Sequence, residues 1–189
     1  MPIEQVSPDL ERIVSTNQQI LELAAGFGND NGPAEGPLWW HEDEYLLFSD
    51  IGNNRRMKWA AEEGVTLVLE PTNFANGLTR DVQGRLIACD RTPRVVRTEP
   101  DGSLTVVANN YRGKSLNRPN DVVVKSDGSI YFTDPWTSPH PAEQWDLTFS
   151  GVYRVTPDLG TITLLRSLPP STKARRRALA CGLSRSCMR

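Results

Sequence analysis

The chain has 189 residues, 38% of them hydrophobic, and a formal net charge of −2. That is material for one globular domain with its own core, and the composition is not that of a disordered chain. No apolar run approaches the length of a spanning helix, and Met1-Pro2-Ile3-Glu4-Gln5 lacks the basic and apolar character of an export signal, so a cytoplasmic protein with no membrane partner is expected.

Residues 1–20 read as an N-terminal extension. Ser7 and Pro8 suit the N-cap and first position of a short helix. Ile20 to Ala24 alternates apolar and polar residues, a pattern that predicts an outer strand.

From Glu35 onward the chain repeats itself. The first unit runs Glu35-Gly36-Pro37-Leu38-Trp39-Trp40, a charged turn, then Tyr45 to Asp50. The second runs Asn76-Gly77-Leu78-Thr79-Arg80-Asp81, a turn, then Arg85 to Asp90, and the third runs Asn120 to Lys125, a turn, then Ser129 to Asp134. The opening polar residue precedes the closing Asp by 15, 14 and 14 positions, and successive openings lie 41 and 44 residues apart. The second and third units continue into further strand pairs, Arg94 to Arg97 with Leu104 to Val107, and Gly151 to Val155 with Thr161 to Leu165. Four strands per unit of about 40 to 45 residues is the period of a propeller blade, which a sandwich would not require.

Blade geometry gives these positions a chemical meaning. First strands line a central channel, so Glu35, Asn76 and Asn120 are expected to face a common space, and antiparallel second strands return Asp50, Asp90 and Asp134 to the same end. Carboxylate and amide oxygens around a cavity suit a hard cation such as calcium. Blander readings stand beside this one. Asn76-Gly77 also fits a turn pair, and the three aspartates also fit strand terminators whose carboxylates hold loop N–H groups. Glu35, beside Gly-Pro and a Trp-rich strand, needs a cation or donor nearby if buried. His41 and His140 fall in predicted loops and are read as solvated. The three cysteines, Cys89, Cys181 and Cys187, form neither a disulfide framework nor a zinc site, and Cys89 reads as a buried strand residue.

Three stretches resemble the gluconolactonase family, which also contains regucalcin and luciferin-regenerating enzyme. They are Ala34 to Trp39, Ala75 to Thr79, and Leu116-Asn117-Arg118-Pro119-Asn120-Asp121-Val122-Val123-Val124 with Asp127 to Pro135. The resemblance covers roughly Leu21 to Leu165. It implies an all-β fold, a partial β-propeller of about three four-stranded blades out of six, over 21–165. It also implies hydrolysis of a small-molecule sugar lactone or related ester with a divalent cation, calcium foremost. By that resemblance Glu35 is a metal ligand, Asn120 contacts substrate or a metal-bound water, and Arg118 holds substrate oxygens. Asn76, Asn117 and Asp121 take supporting positions. The family's further ligands, an Asn and an Asp that is the proposed base, belong to later blades, so no catalytic base is identifiable. The alternative is a non-catalytic propeller fragment or interaction module.

Residues 166–189 read as an irregular basic tail, with seven Lys or Arg and no acid, against 14 basic and 23 acidic residues before Arg166. A frame change or splice event, a basic tail for nucleic acid or an acidic partner, and a C-terminal helix are the competing explanations. The first is favoured, because the charge changes abruptly and the repeat is lost. Nucleic acid is not the expected partner, since no aromatic side chains interleave Lys173 to Arg177.

Overall fold

The computed structural model describes residues 3–136 and 145–169. Three four-stranded antiparallel sheets dominate it, each with its strands in chain order. Blade 1 is β1 (Ala34–Trp40), β2 (Tyr45–Asp50), β3 (Arg55–Ala60) and β4 (Gly64–Leu69). Blade 2 is β5 (Leu78–Arg80), β6 (Leu86–Asp90), β7 (Arg94–Thr98) and β8 (Leu104–Ala108). A two-residue hairpin, β9 (Asn110–Tyr111) and β10 (Lys114–Ser115), leads to blade 3: β11 (Val122–Val124), β12 (Ile130–Asp134), β13 (Ser150–Val155) and β14 (Ile162–Leu168). All three second strands end on the aspartates that the repeat marks. The last strand runs to Leu168, and His140 and the chain from Pro170 onward, including Lys173 to Arg177, lie outside the described residues.

Period-2 alternation gives every blade two faces, and the cores form where faces of successive blades meet. In blade 2, Leu78, Ala88 and Val96 pack with Leu47 of blade 1. The opposite face of the same strands presents Ile87, Cys89 and Val95 to Val122, Ile130, Phe132 and Tyr153 of blade 3. The face of blade 1 turned away from blade 2 keeps Trp39 and Leu67 about half exposed. Cys89 is free and fully buried, and burial, with the charges of Asp121, Asp134 and Asp90, pushes its thiol well up and out of reactive range.

The N-terminal region departs in part from its sequence pattern. Pro8–Arg12 is a short 3-10 helix whose N-cap Ser7 accepts a hydrogen bond from the Asp9 N–H, as the cap pattern predicts. Ile20 to Ala24 is not a strand. An outer strand needs a sheet edge to pair with, and here Ile20, Leu21 and Leu23 remain largely in solvent instead. At Phe27 the chain packs on blade 1, its ring meeting Phe48 edge-on at 5.1 Å. No helix among the described residues is long and apolar enough to cross a membrane.

Candidate functional site

The inner ends of the blades step side by side. Glu35 is half-buried in β1, opposite Ser49 of β2, and the Ser49 hydroxyl donates to the Asn76 carbonyl at 2.7 Å. Gly36 has φ +61° and packs its Cα against that same carbonyl, leaving no space for a side chain. One blade on, the Gly77 N–H donates to the Asn120 carbonyl at 2.8 Å. A Cβ at residue 77 would stand 2.7 Å from the Asp121 Cα. Polar-Gly therefore recurs because the polar residue begins an inner strand and the glycine admits the next blade's backbone. These contacts bring the backbones of Glu35, Asn76 and Asn120 into a row, each half-buried, while Asp121 is exposed and its carboxylate accepts from the Val122 N–H. Among the described residues no three His, Cys, Asp or Glu side chains gather as a metal-binding group. His41 is exposed in the β1–β2 turn.

The strand-end aspartates hold loops. Asp50 accepts from the Gly28 N–H at 2.7 Å, from Asn53 and from Arg55. Burial alone would raise its carboxyl, yet these three donors together hold it below the usual range. Asp90 accepts from the Thr92 N–H and from Arg94. Asp134 receives the backbone N–H groups of Asn117 at 2.8 Å and Arg118 at 2.7 Å. Burial pushes its carboxyl up to about 7 against those two bonds. Of the two readings the sequence left open, these carboxylates follow the strand-terminator one.

Asp134 thereby anchors the loop that carries four of the sequence-marked residues, Asn117 to Asp121. Asn117 is 1% exposed and donates to the Phe149 carbonyl at 3.0 Å, while its Oδ1 has no partner among the described residues. Arg118 lies over the Trp145 ring, 5.3 Å from its centroid. A cleft of about 310 Å³ opens here, lined by Asn117, Arg118 and Trp145 from one side and Arg91 and Pro93 from the other. Glu35, Asn76 and Asn120 do not line it. Arg91 and Trp145 escaped the sequence reading. The one signal for Arg91 was its position directly after a repeat aspartate.

Antiparallel four-stranded blades that repeat radially through apposed first strands define a β-propeller, of which the described chain supplies three consecutive blades. Residues 33–168 match the family model described as SMP-30/Gluconolactonase/LRE-like region, and the chain belongs to that family. It is 30% identical over 183 residues to a gluconolactonase of Zymomonas mobilis, a match covering 87% of this chain and 50% of that protein. A solved gluconolactonase from Xanthomonas campestris, described as important in glucose secondary metabolism, is 34% identical with a TM-score of 0.65, over 71% of this chain and 47% of its own. A second solved structure, provisionally assigned as a gluconolactonase, is 29% identical with a TM-score of 0.70, over 84% and 56%. The chain thus spans about half the length of the curated relative it matches.

Proposed function

We propose that this chain carries the binding elements that three blades contribute to a divalent-cation-dependent hydrolase acting on a small-molecule sugar lactone or related ester. The observation that carries the reading is the row of Glu35, Asn76 and Asn120 at the inner ends of three successive blades in a chain of this family. One carboxylate and two amides are the donor chemistry that suits a hard cation, calcium foremost, and Glu35 would supply one of the six to eight oxygens calcium takes. When bound, such a cation polarises a lactone carbonyl and orients a water. The chain's own contribution is binding and orientation. Glu35 supplies negative charge at the inner end of β1, Asn120 offers an amide to substrate or to a bound water, and Arg118 holds substrate oxygens from a loop pinned by Asp134. Asn76, Asn117 and Asp121 support that loop and its neighbour.

A pH-stat assay of lactone opening, with and without added calcium and beside Glu35→Gln, tests this. Any turnover above background should require the cation and fall on the order of 100-fold in Glu35→Gln, at least what removing a supporting partner costs a metal site. Background rates in every tube would leave the non-catalytic reading in its place.

A further inference from the structure

The blades share a bulge, and the residue on it differs in one of them. Third and fourth strands shift register between Arg56 and Met57 in blade 1, Val95 and Val96 in blade 2, and Val152 and Tyr153 in blade 3. The second strands agree, since Ser49, Cys89 and Thr133, each just before a repeat aspartate, pair with Arg56, Val95 and Val152. Arg56 thus stands where the other two blades place valine. Val95 faces the next blade, and Arg56 does the same, because Ser49 opposite it reaches the Asn76 carbonyl at the start of blade 2. Small side chains admit the longer residue: the cluster between blades 1 and 2 holds Ala75 and Ala88, where the one between blades 2 and 3 holds Phe132 and Tyr153. Arg56 is only 7% exposed. Its Nε is buried with no hydrogen-bond partner, and no carboxylate pairs with its guanidinium, among the described residues. Asp50 takes Arg55 and Glu63 takes Lys58, while Glu35 lies two strands away in the same row, beyond Ser49. Burial pushes the guanidinium down to about 10, which leaves it a cation at neutral pH. A buried cation without a counter-charge is strongly destabilising.

We infer that Arg56 is the binding point for a small inorganic anion of chloride size, taken up in the seam between blades 1 and 2. A guanidinium has donors and no acceptor, so its partner must accept, and a partner that also offsets the charge must be an anion. Size follows from burial: the little surface that Arg56 keeps, on a seam packed with Leu47, Leu78 and Val96, suits a single small ion and not a sugar or a nucleotide. The ion undergoes no chemistry there. It lets a charge stand at a valine position and couples the stability of this seam to the anion. The inference is independent of the lactone reading.

Chloride NMR linewidths and urea melts of the whole chain test it, beside Arg56→Met, which keeps an unbranched side chain and removes the charge. Titrated with sodium chloride, the unmodified chain is expected to broaden the chloride line more than Arg56→Met does, by a difference that saturates. The melts compare chloride with methanesulfonate, a monovalent anion too large for the seam, at one ionic strength. In methanesulfonate Arg56→Met should be the more stable chain, because it buries no unpaired charge. Its advantage in the folding equilibrium should shrink about tenfold when chloride is present at about ten times the dissociation constant from the linewidths. Taking the difference between two chains cancels the general effect of each salt. Equal broadening by the two chains overturns the inference. So does an Arg56→Met advantage that is the same in both salts, which is the result if water alone meets the guanidinium. Where Arg56→Met does not fold, Arg56→Val, the residue of the other two blades, takes its place. Lower stability of both variants in methanesulfonate overturns the inference as well, since Arg56 would then have a partner other than the anion.

Discussion

At the end of β2, Asp50 is fully buried and its carboxylate meets Arg55, Asn53 and the Gly28 N–H. At the equivalent end of β12, Asp134 is as deeply buried, but its carboxylate meets two backbone N–H groups and no cation among the described residues. The same residue at the same repeat position therefore does two jobs. Asp50, with Arg55 five residues on, closes the corner of its own blade and ties in the N-terminal segment. Asp134 gives up the neighbouring arginine and uses both oxygens to fix Asn117 and Arg118. That exchange has an electrostatic consequence: without a cation, burial wins and the Asp134 carboxyl rises to about 7, whereas Asp50 is held low.

The largest expected effect is on pH. A carboxyl whose folded pKa lies near 7, against an ordinary 3.8, keeps its proton in the folded chain while the unfolded chain has lost its own. Stability from this group is fully present below about pH 4 and is lost as pH rises through 7, a fall of at most about 4 kcal/mol at roughly 1.36 kcal/mol per unit. Urea melts across pH 4 to 8 should show that slope in the unmodified chain. Asp134→Asn should flatten it, with a pH-independent cost of about 1–3 kcal/mol, because the amide nitrogen confronts one of the two backbone donors. A flat profile in the unmodified chain would dissolve the contrast between the two corners.

The blade 1 corner answers in the opposite direction. Arg55→Gln removes the 2.6 Å bond to Asp50 and leaves the Gly28 N–H and Asn53 as its donors. A charge-assisted bond at a partly exposed arginine is worth about 2 kcal/mol at pH 7. Asp50 has a lowered folded pKa, so the stability it contributes is present above the ordinary carboxylate range and fades as pH falls through that lower value. The deficit of Arg55→Gln should therefore shrink on acidification. A deficit that grew in acid would mean that Arg55 holds something other than Asp50.

Much of this contrast was hidden in the sequence for a physical reason. Alternation and turn chemistry act over a few residues, so the blade period, the second strands ending on Asp50, Asp90 and Asp134, and the glycines after Glu35 and Asn76 could all be read directly. The partner of each aspartate depends on which loop the fold brings back. For Asp134 that is a loop 16 and 17 residues away along the chain. The Arg91 and Arg118 cleft is harder still, because its walls come from different blades and meet only when the blades stack. The failed strand at Ile20 to Ala24 has the same origin. A local pattern can announce a strand, but only pairing with a neighbouring strand makes one, and Ile20 to Ala24 pairs with none of the described sheet edges.

The smallest effect tests how dry the blade 3 corner is. Tyr153 lies directly across the sheet from Phe132, stacked on it with ring centroids 5.1 Å apart, and its Oη is buried without a partner among the described residues. Burial, and then the nearby Asp134 charge, push its phenol up, so the hydroxyl stays neutral and its desolvation goes uncompensated. Tyr153→Phe keeps the ring and removes only that oxygen. It should stabilise the chain by about 1 kcal/mol, the lower part of what an unsatisfied buried hydroxyl costs. The gain should persist across the pH range in which Asp134 titrates. A loss of similar size in urea melts would show that the hydroxyl binds something at that corner. Asp134 would then sit in a wetter site than its burial implies, and the pH slope predicted for it should shrink accordingly.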